Sequence, residues 1–370
     1  MRPVNYIPFI DSDNDLKLDH DGINFGYDPV TQTIRFRDPT DPSQILILGA
    51  ATDEAVTRSG DGFPKSGPLG SFAGVAAVSS RYRDINTGVD FVNEGTTESP
   101  YWSCVDPFHP RVFSNYRAAV GGGVALSSTG TTAGSSLIPW GFAGDALDET
   151  DGGAPMSSGT VASIGYGYPV DVTTSATANT AIGMSPMPGG FFITWAQPDI
   201  HGNMSFDVVC MQQTAITARS VFIGFGAQWV AASEGIVTGS GTTISFTATS
   251  GDDCAGFYFD ENLTDNDRWF FPYDKANTNA SIATTASQVD TGVDVAAAGT
   301  AQRFRVEVDT DGAVRGFINK IQVVTLPAGT LDTTEEHVPV AYICNNANAA
   351  AKVMNVYKCD FVGVRPTMPS

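Results

Sequence analysis

The chain is poor in basic residues. Its 370 residues include 20 Lys and Arg against 40 Asp and Glu, which gives a formal net charge of -20. No Lys or Arg occurs between Arg117 and Arg219. Binding to nucleic acid or to an anionic membrane needs clustered cations that displace counterions. We therefore expect neither of these as a partner.

Signatures of several kinds of site and segment are also missing. The five cysteines are widely spaced and form no CxxC pair, and the four histidines form no HExxH motif, so zinc chemistry has no support. An odd number of scattered cysteines favours thiols in a reducing cytosol over disulfides. No GxSxG motif or membrane-length apolar run is present, and the N-terminus lacks a signal-peptide pattern. We expect a soluble chain made without an export signal of its own.

The C-terminal seventy residues show strand periodicity. Over residues 301–309, Phe304, Val306 and Val308 alternate with charged residues, which predicts a strand with an apolar core face and a solvent-facing charged face. An Asp-Gly pair at Asp311 then predicts a hairpin. Residues 352–364 are apolar in both alternating sets and predict a central strand.

Further strands are predicted upstream, at residues 191–195, 204–210 and 221–230. Glycines inside the last of these indicate a bend or a close approach of two backbones. Residues 50–168 are rich in turn residues but are punctuated by aromatics, which favours loop-rich β structure.

Residues 302–309 (QRFRVEVD), the Asp-Gly hairpin and the closing run 356–364 (VYKCDFVGV) resemble the signature of concanavalin-like (laminin-G-type) jelly rolls. The resemblance covers residues 186–364 and implies an all-β fold. We expect an N-terminal arm or hairpin at 1–50, a loop-rich β module at 51–185 and the jelly roll at 186–370.

The N-terminal segment carries a second hairpin signal, around Asp28. Its flanking runs predict strands that pair with a neighbouring chain or a larger assembly. The predicted assembly residues are Phe25, Tyr27, Ile34 and Phe36.

Two candidate ligand sites lie close together in the sequence. Asp260, Asn262, Asp265 and Asp267 supply hard oxygen ligands, and concanavalin-like domains hold calcium at the rim of the sheet, so Ca²⁺ is the cofactor suggested here. The alternative is an ordinary Asn/Asp turn. Trp269 and Tyr273 follow as candidate sugar-stacking residues, with burial in the core as the alternative.

The resemblance also bears on activity. Laminarinase-type members of this fold carry Glu-x-Asp-x-x-Glu on one strand, and that motif is absent here. We therefore assign no catalytic residue and expect a non-enzymatic protein, with a glycoside hydrolase as the weakest hypothesis.

The Ala/Thr/Gly/Asn-rich style is similar to that of virion proteins of tailed bacteriophages. This resemblance implies a capsid-decorating (cement) or head-fibre protein, assembled in the host bacterial cytoplasm and located in the virion. The expected partners are the major capsid protein or other virion proteins, with the chain itself a homotrimer. The alternative function is calcium-assisted carbohydrate binding, with a surface glycan as partner.

Overall fold

The structure is a computed structural model. It describes residues 55, 57–105, 170–174, 197–212, 217–226, 236–246, 253–275, 289–346 and 351–364, and the backbone of strands at 8–10, 16–20, 23–28, 33–37, 45–48, 115–117, 154–158, 180–184 and 281–283. The chain divides into two compact units. The first contains residues 1–59, 66–83 and 91–103, and the second contains residues 60–65, 84–90 and 104–370.

The N-terminal segment forms a five-stranded antiparallel sheet in which each strand pairs with the next in sequence. Its strands are β1 (Pro8–Ile10), β2 (Leu16–His20), β3 (Ile23–Asp28), β4 (Thr33–Arg37) and β5 (Ile45–Leu48). The predicted hairpin around Asp28 is confirmed as the β3–β4 pair. Residues 16–20 form a strand paired with β3.

A four-stranded sheet follows, with its strands in sequence order. They are β6 (Thr57–Gly60), β7 (Arg81–Asp84), β8 (Asp90–Asn93) and β9 (Trp102–Cys104). The buried Asn93 side chain fixes the surrounding turns: its amide donates to Ala76 O at 2.7 Å and its oxygen accepts Tyr101 N at 2.8 Å. This region is loop-rich β structure, as the sequence predicts.

The remaining elements include one short helix and strands that build a sandwich. They are β10 (Asn115–Arg117), β11 (Ala154–Ser158), β12 (Val170–Thr173), β13 (Thr180–Met184), α1 (Pro198–His201), β14 (Met204–Gln212), β15 (Arg219–Gly226), β16 (Val237–Ser240), β17 (Thr243–Phe246), β18 (Cys254–Asp260), β19 (Arg268–Phe270), β20 (Tyr273–Asp274), β21 (Ser281–Ala283), β22 (Asp290–Asp294), β23 (Ala301–Val308), β24 (Val314–Ile318), β25 (Ile321–Leu326), β26 (Val338–Asn345) and β27 (Val353–Val362). No helix in the described part of the chain is long and apolar enough to cross a membrane.

Two large antiparallel sheets form the sandwich. The eight-stranded sheet runs β11-β12-β27-β14-β23-β24-β25, with β10 also paired to β27. The seven-stranded sheet runs β13-β26-β15-β18-β19-β22, with β20 also paired to β18. A three-stranded sheet, β16-β17-β21, completes the architecture. The all-β class and the C-terminal jelly-roll sandwich are confirmed.

The main core lies between the two large sheets. It includes Phe206, Phe304 and Phe361 from the eight-stranded sheet and Phe225 and Phe257 from the seven-stranded sheet. A second apolar cluster on the other side of the seven-stranded sheet includes side chains of β16 and β17. Strands β15, β18 and β26 are therefore buried on both faces, which explains their nearly continuous apolar sequences.

The glycines of the central strands allow a close backbone approach, as the sequence predicts. Gly224 pairs with Gly256 across β15 and β18. A Cβ added at Gly224 would lie 2.3 Å from Ala255 O and 2.4 Å from the Cα of Gly256. No side chain fits there without movement of the backbone.

The domain boundary predicted at residue 186 needs a correction. Strands β10, β11 and β12 lie in the eight-stranded sheet and β13 lies in the seven-stranded sheet, so the sandwich takes in strands that precede residue 186. These strands have only three to five residues each. Segments that short carry too few alternations to stand out from turn-rich sequence.

Candidate functional site

Charged side chains occupy the face of the eight-stranded sheet opposite the core. We call them the ion network: Asp207 of β14, Arg303, Arg305 and Glu307 of β23 with Asp309 just after it, Arg315 of β24, and Lys358 and Asp360 of β27. Strand alternation places them, because their neighbours Phe206, Phe304 and Val306 point into the core. The register sets Asp207 opposite Arg305 and Glu307 opposite Arg315.

Asp207 is the centre of one half of the network. Arg303 donates to its carboxylate from Nη2 at 2.6 Å and from Nε at 2.9 Å. Arg305 Nη2 donates at 2.8 Å, and Lys358 Nζ lies 3.3 Å away. Burial alone would raise the pKa of Asp207, but Lys358, Arg303 and Arg305 together hold that pKa well below its ordinary value. Asp207 is therefore ionised at neutral pH and is held by three cations.

The other half runs along β23 and β24. Arg315 donates to Asp309 at 2.6 and 2.7 Å and to Glu307 at 3.1 Å. Lys65, from a segment of the same compact unit, reaches Asp309 at 2.6 Å. Burial opposes ionisation of Asp309, but Arg315 and Lys65 outweigh it and lower the pKa of its carboxyl. Arg305 joins the two halves through Glu307 at 3.4 Å.

The structure corrects the solvent-facing assignment of this face. Arg303, Arg305, Glu307 and Asp309 are only 6, 3, 5 and 3% exposed. Burial of so many charges is tolerated because each carboxylate of the network faces a cation, which lies on a neighbouring strand for Asp207, Glu307 and Asp309 and on the same strand for Asp360. The network ties four adjacent strands together.

Beyond the ion network, the same face becomes less charged. Tyr357 of β27 is fully buried beside Val209 and Met211. Next to it, Asn355 donates to the carboxylate of Asp171. This neighbourhood offers aromatic, amide and carboxylate groups.

The predicted calcium ligands do not point to one place. Asp260 is buried, and its carboxylate accepts hydrogen bonds from Gly239 N and Asn262 N, each at 2.8 Å, from Asn346 Nδ2 at 2.6 Å and from the Tyr258 hydroxyl. Asn262, Asp265 and Asp267 are exposed on the following turn. Within the described ranges, no group of three or more His, Cys, Asp and Glu side chains is placed to hold a metal ion. The geometry of Asp260 is that of a structural carboxylate joining β16 to β18.

Trp269 does not fit the predicted sugar-stacking role. It is 1% exposed and packs in the main core, with its ring centroid 4.5 Å from that of Phe304 and 6.0 Å from that of Phe259. Its Nε1 donates to Gln302 at 3.0 Å. A ring covered by neighbours offers no face to a sugar. Tyr273 is half-buried and packs against the same core.

The four predicted assembly residues lie in the N-terminal sheet. Phe25 pairs with Phe36, and Tyr27 pairs with Ile34, across β3 and β4. Directly paired positions of an antiparallel ladder share one face of the sheet, so the structure brings these four positions together.

Sequence reasoning did not identify the ion network as a site. The available signal was the Arg-x-Arg-x-Glu-x-Asp alternation of residues 303–309. Its partners Asp207 and Lys358 lie on strands that are distant in sequence, so only the sheet register reveals the network.

Comparisons with known proteins give only distant likenesses. No known protein family matches the chain, and no curated protein sequence matches it. Among solved structures, alginate lyase Aly36B is similar over 70% of this chain and 99% of its own, at 13% identity and a TM-score of 0.42. A protein of unknown function, SO2946 from Shewanella oneidensis MR-1, is similar over 70% of this chain and 90% of its own, at 12% identity and a TM-score of 0.39. The potassium-bound carbohydrate recognition domain of Emp46p is similar over 52% of this chain and 82% of its own, at 6% identity and a TM-score of 0.33. At these values, the likenesses assign neither a family nor a function to the chain.

Proposed function

We propose that the chain is a non-enzymatic structural protein of a phage particle, of the capsid-decorating or head-fibre kind. In this proposal the N-terminal sheet attaches the chain to the shell, and the sandwich is displayed. The observation that carries it is the separation of the chain into two compact units, because the five-stranded sheet of residues 8–48 falls in a different unit from the sandwich. An attachment module joined to a display module has this organisation.

The chemistry of the ion network is that of a scaffold and not of a proton donor. Glycoside hydrolysis needs a carboxylic acid that keeps its proton near neutral pH, and so a raised pKa. The pKa values of Asp207 and Asp309 are both lowered by their cation partners. These carboxylates hold strands together and are unsuited to donating a proton.

Assembly would use the face shared by Phe25, Tyr27, Ile34 and Phe36. Apolar positions clustered on one face of a small sheet gain free energy when a second copy or a capsid protein covers them. The proposed partners are two further copies of the chain and the major capsid protein. Folded protein bound in this way is stabilised by mass action.

A pair of variants of the full chain tests this proposal. Phe36→Glu places a charge on the shared face, whereas Thr33→Glu makes a charged substitution on the same strand at a position of the opposite face. We expect Phe36→Glu to reduce the solution mass to that of the 38.9 kDa protomer, with Thr33→Glu keeping the wild-type mass. Equal solution masses for the wild type and both variants would show that this face is not used in assembly.

Carbohydrate binding is the second candidate, because the concanavalin-like fold that residues 302–309 and 356–364 resemble includes lectins. Immobilised neutral and uronate oligosaccharides, each with and without EDTA, separate the possibilities. If the chain is retained on an oligosaccharide and this retention is lost in EDTA and in Asp265→Asn, the binding is calcium-assisted. Retention that EDTA does not change supports direct binding. If the chain is retained on none of the oligosaccharides, carbohydrate binding is refuted.

A further inference from the structure

A loop links the two sheets of the sandwich. Residues 327–337, the crossover loop, leave β25 of the eight-stranded sheet and enter β26 of the seven-stranded sheet. The loop is held at one end by the β23–β24 hairpin, where Gly329 N donates to Asp311 O at 2.8 Å and Leu331 N donates to Gly312 O at 3.1 Å. Near its middle, Thr333 O accepts Asp199 N at 3.2 Å.

The other end of the loop rests on a buried carboxyl group. Asp253 lies just before β18, is 4% exposed, and accepts the Asp332 N–H at 3.2 Å. His337 lies just before β26, and its Nε2 is 3.7 Å from the Asp253 carboxylate. Strand β15 pairs with both β18 and β26, so the two side chains lie at the same end of the seven-stranded sheet.

Burial favours the neutral form of His337. Its Nε2 is 2.8 Å from the carbonyl oxygen of Asp332, which can only accept, so Nε2 carries the hydrogen. Its Nδ1 is buried without a hydrogen-bond partner among the described residues. Burial lowers the pKa of His337, although hydrogen bonds to the backbone of Asp332 and Asp253 and the nearby Asp332 and Glu335 carboxylates act in the opposite direction.

The pKa of Asp253 is shifted in the opposite direction, so that Asp253 also favours its neutral form. Burial raises its pKa to about 7, the nearby Asp332 and Glu335 carboxylates act in the same direction, and the Asp332 N–H and Lys275 oppose them. The thiol of Cys254 and the buried Asp274 are the other titratable groups close by. With a neutral His337 beside it, Asp253 has no strong cationic partner on the crossover loop.

We propose that Asp253 and His337 form a pH-sensitive latch, in which a protonated Asp253 keeps the crossover loop on the seven-stranded sheet and ionisation of Asp253 loosens it. Opening the loop hydrates the carboxylate and removes the cost of burying its charge. The latch acts on the loop that connects β25 and β26, and it does not depend on what the sandwich binds.

The direction of the effect follows from linkage. A carboxyl with a raised pKa in the closed state binds more protons there than in the open state, so closing is favoured by acid and weakens as pH rises from about 4 to about 7. Between pH 6.5 and 8, Asp253 alone should increase the opening constant about fourfold. His337 works in the opposite direction over part of this range, since its pKa is lowered.

A comparison of full-length chains isolates the contribution of Asp253. Asp253→Asn keeps the shape and stays neutral at every pH, and Glu336→Gln makes the same chemical change at an exposed position of the same loop. The opening constant is obtained from hydrogen exchange of the Asp332 amide, corrected for the intrinsic exchange rate at each pH. Groups that do not interact with Asp253 cancel in the ratio of wild type to variant, and His337, which does interact, has a lowered pKa and is mostly neutral from pH 6.5 upwards.

We expect the ratio for Asp253→Asn to increase about fourfold between pH 6.5 and 8, with the ratio for Glu336→Gln constant. A constant ratio for Asp253→Asn would overturn the latch. If Asp253→Asn does not fold, a ¹³C NMR titration of the Asp253 carboxyl in the wild-type chain decides the matter. A midpoint near neutral pH supports the latch, and a midpoint below about pH 5, close to an ordinary aspartate, refutes it.

Discussion

Removing the carboxylate of Asp207 should destabilise the sandwich strongly. In Asp207→Asn the side chain keeps its size, but Arg303, Arg305 and Lys358 lose their shared anion. Arg305 keeps Glu307 at 3.4 Å and Lys358 keeps Asp360 at 3.2 Å. Breaking a buried pair from one side costs about 3–5 kcal/mol, and we expect a decrease in unfolding free energy of that size.

Urea unfolding followed by circular dichroism measures the change, with an exposed ion pair as the control. Asp294 is 77% exposed and lies 4.0 Å from Arg268, so Asp294→Asn should change the stability by about 0–1 kcal/mol at most, because water and salt screen such pairs.

The pH dependence of the unfolding free energy gives an independent check on the contribution of the Asp207 charge. Because the folded-state pKa of Asp207 is lowered, its contribution is present above the ordinary aspartate pKa of about 3.9 and is lost as the pH falls through the folded value. Asp207→Asn should therefore cost most at neutral pH and progressively less in acid. A loss under about 1 kcal/mol at pH 7, or one that does not shrink in acid, would refute the electrostatic account.

Two further changes test the packing of the central strands. Gly224→Ala should lower the unfolding free energy by about 1–3 kcal/mol or more, because its Cβ would meet the Ala255 backbone at 2.3 Å; a wild-type thermal midpoint would contradict the close approach. Burial raises the pKa of the Cys210 and Cys344 thiols to about 12, so both should resist a thiol reagent at pH 8 in the native chain and react after unfolding in urea. Fast native labelling at either cysteine would show that the core is open.

The parts of the fold carried by local pattern could be predicted from the sequence. Alternation identified Phe304, Val306 and Val308 as core residues, and the Asp-Gly pair located the β23–β24 hairpin. The glycine at position 224 signalled a close backbone approach. Each of these features depends on neighbours within a few residues.

The features that the sequence did not reveal depend on distant strands. Arg303 and Arg305 look solvent-facing by alternation, yet they are buried, and their burial is tolerated because Asp207, on another strand, neutralises them. Trp269 follows an acidic turn, which suggested a sugar site, but the register of β19 places it against Phe304. Alternation assigns a side chain to a face and does not say what covers that face.

The central claim, a displayed sandwich that assembles through its N-terminal sheet, is tested most directly by the solution mass of the full chain. Light scattering on the purified protein, with and without EDTA, should give three times the 38.9 kDa protomer mass under both conditions. A monomer at every concentration would contradict the claim, and a monomer that loses stability in EDTA would favour calcium-assisted glycan binding instead.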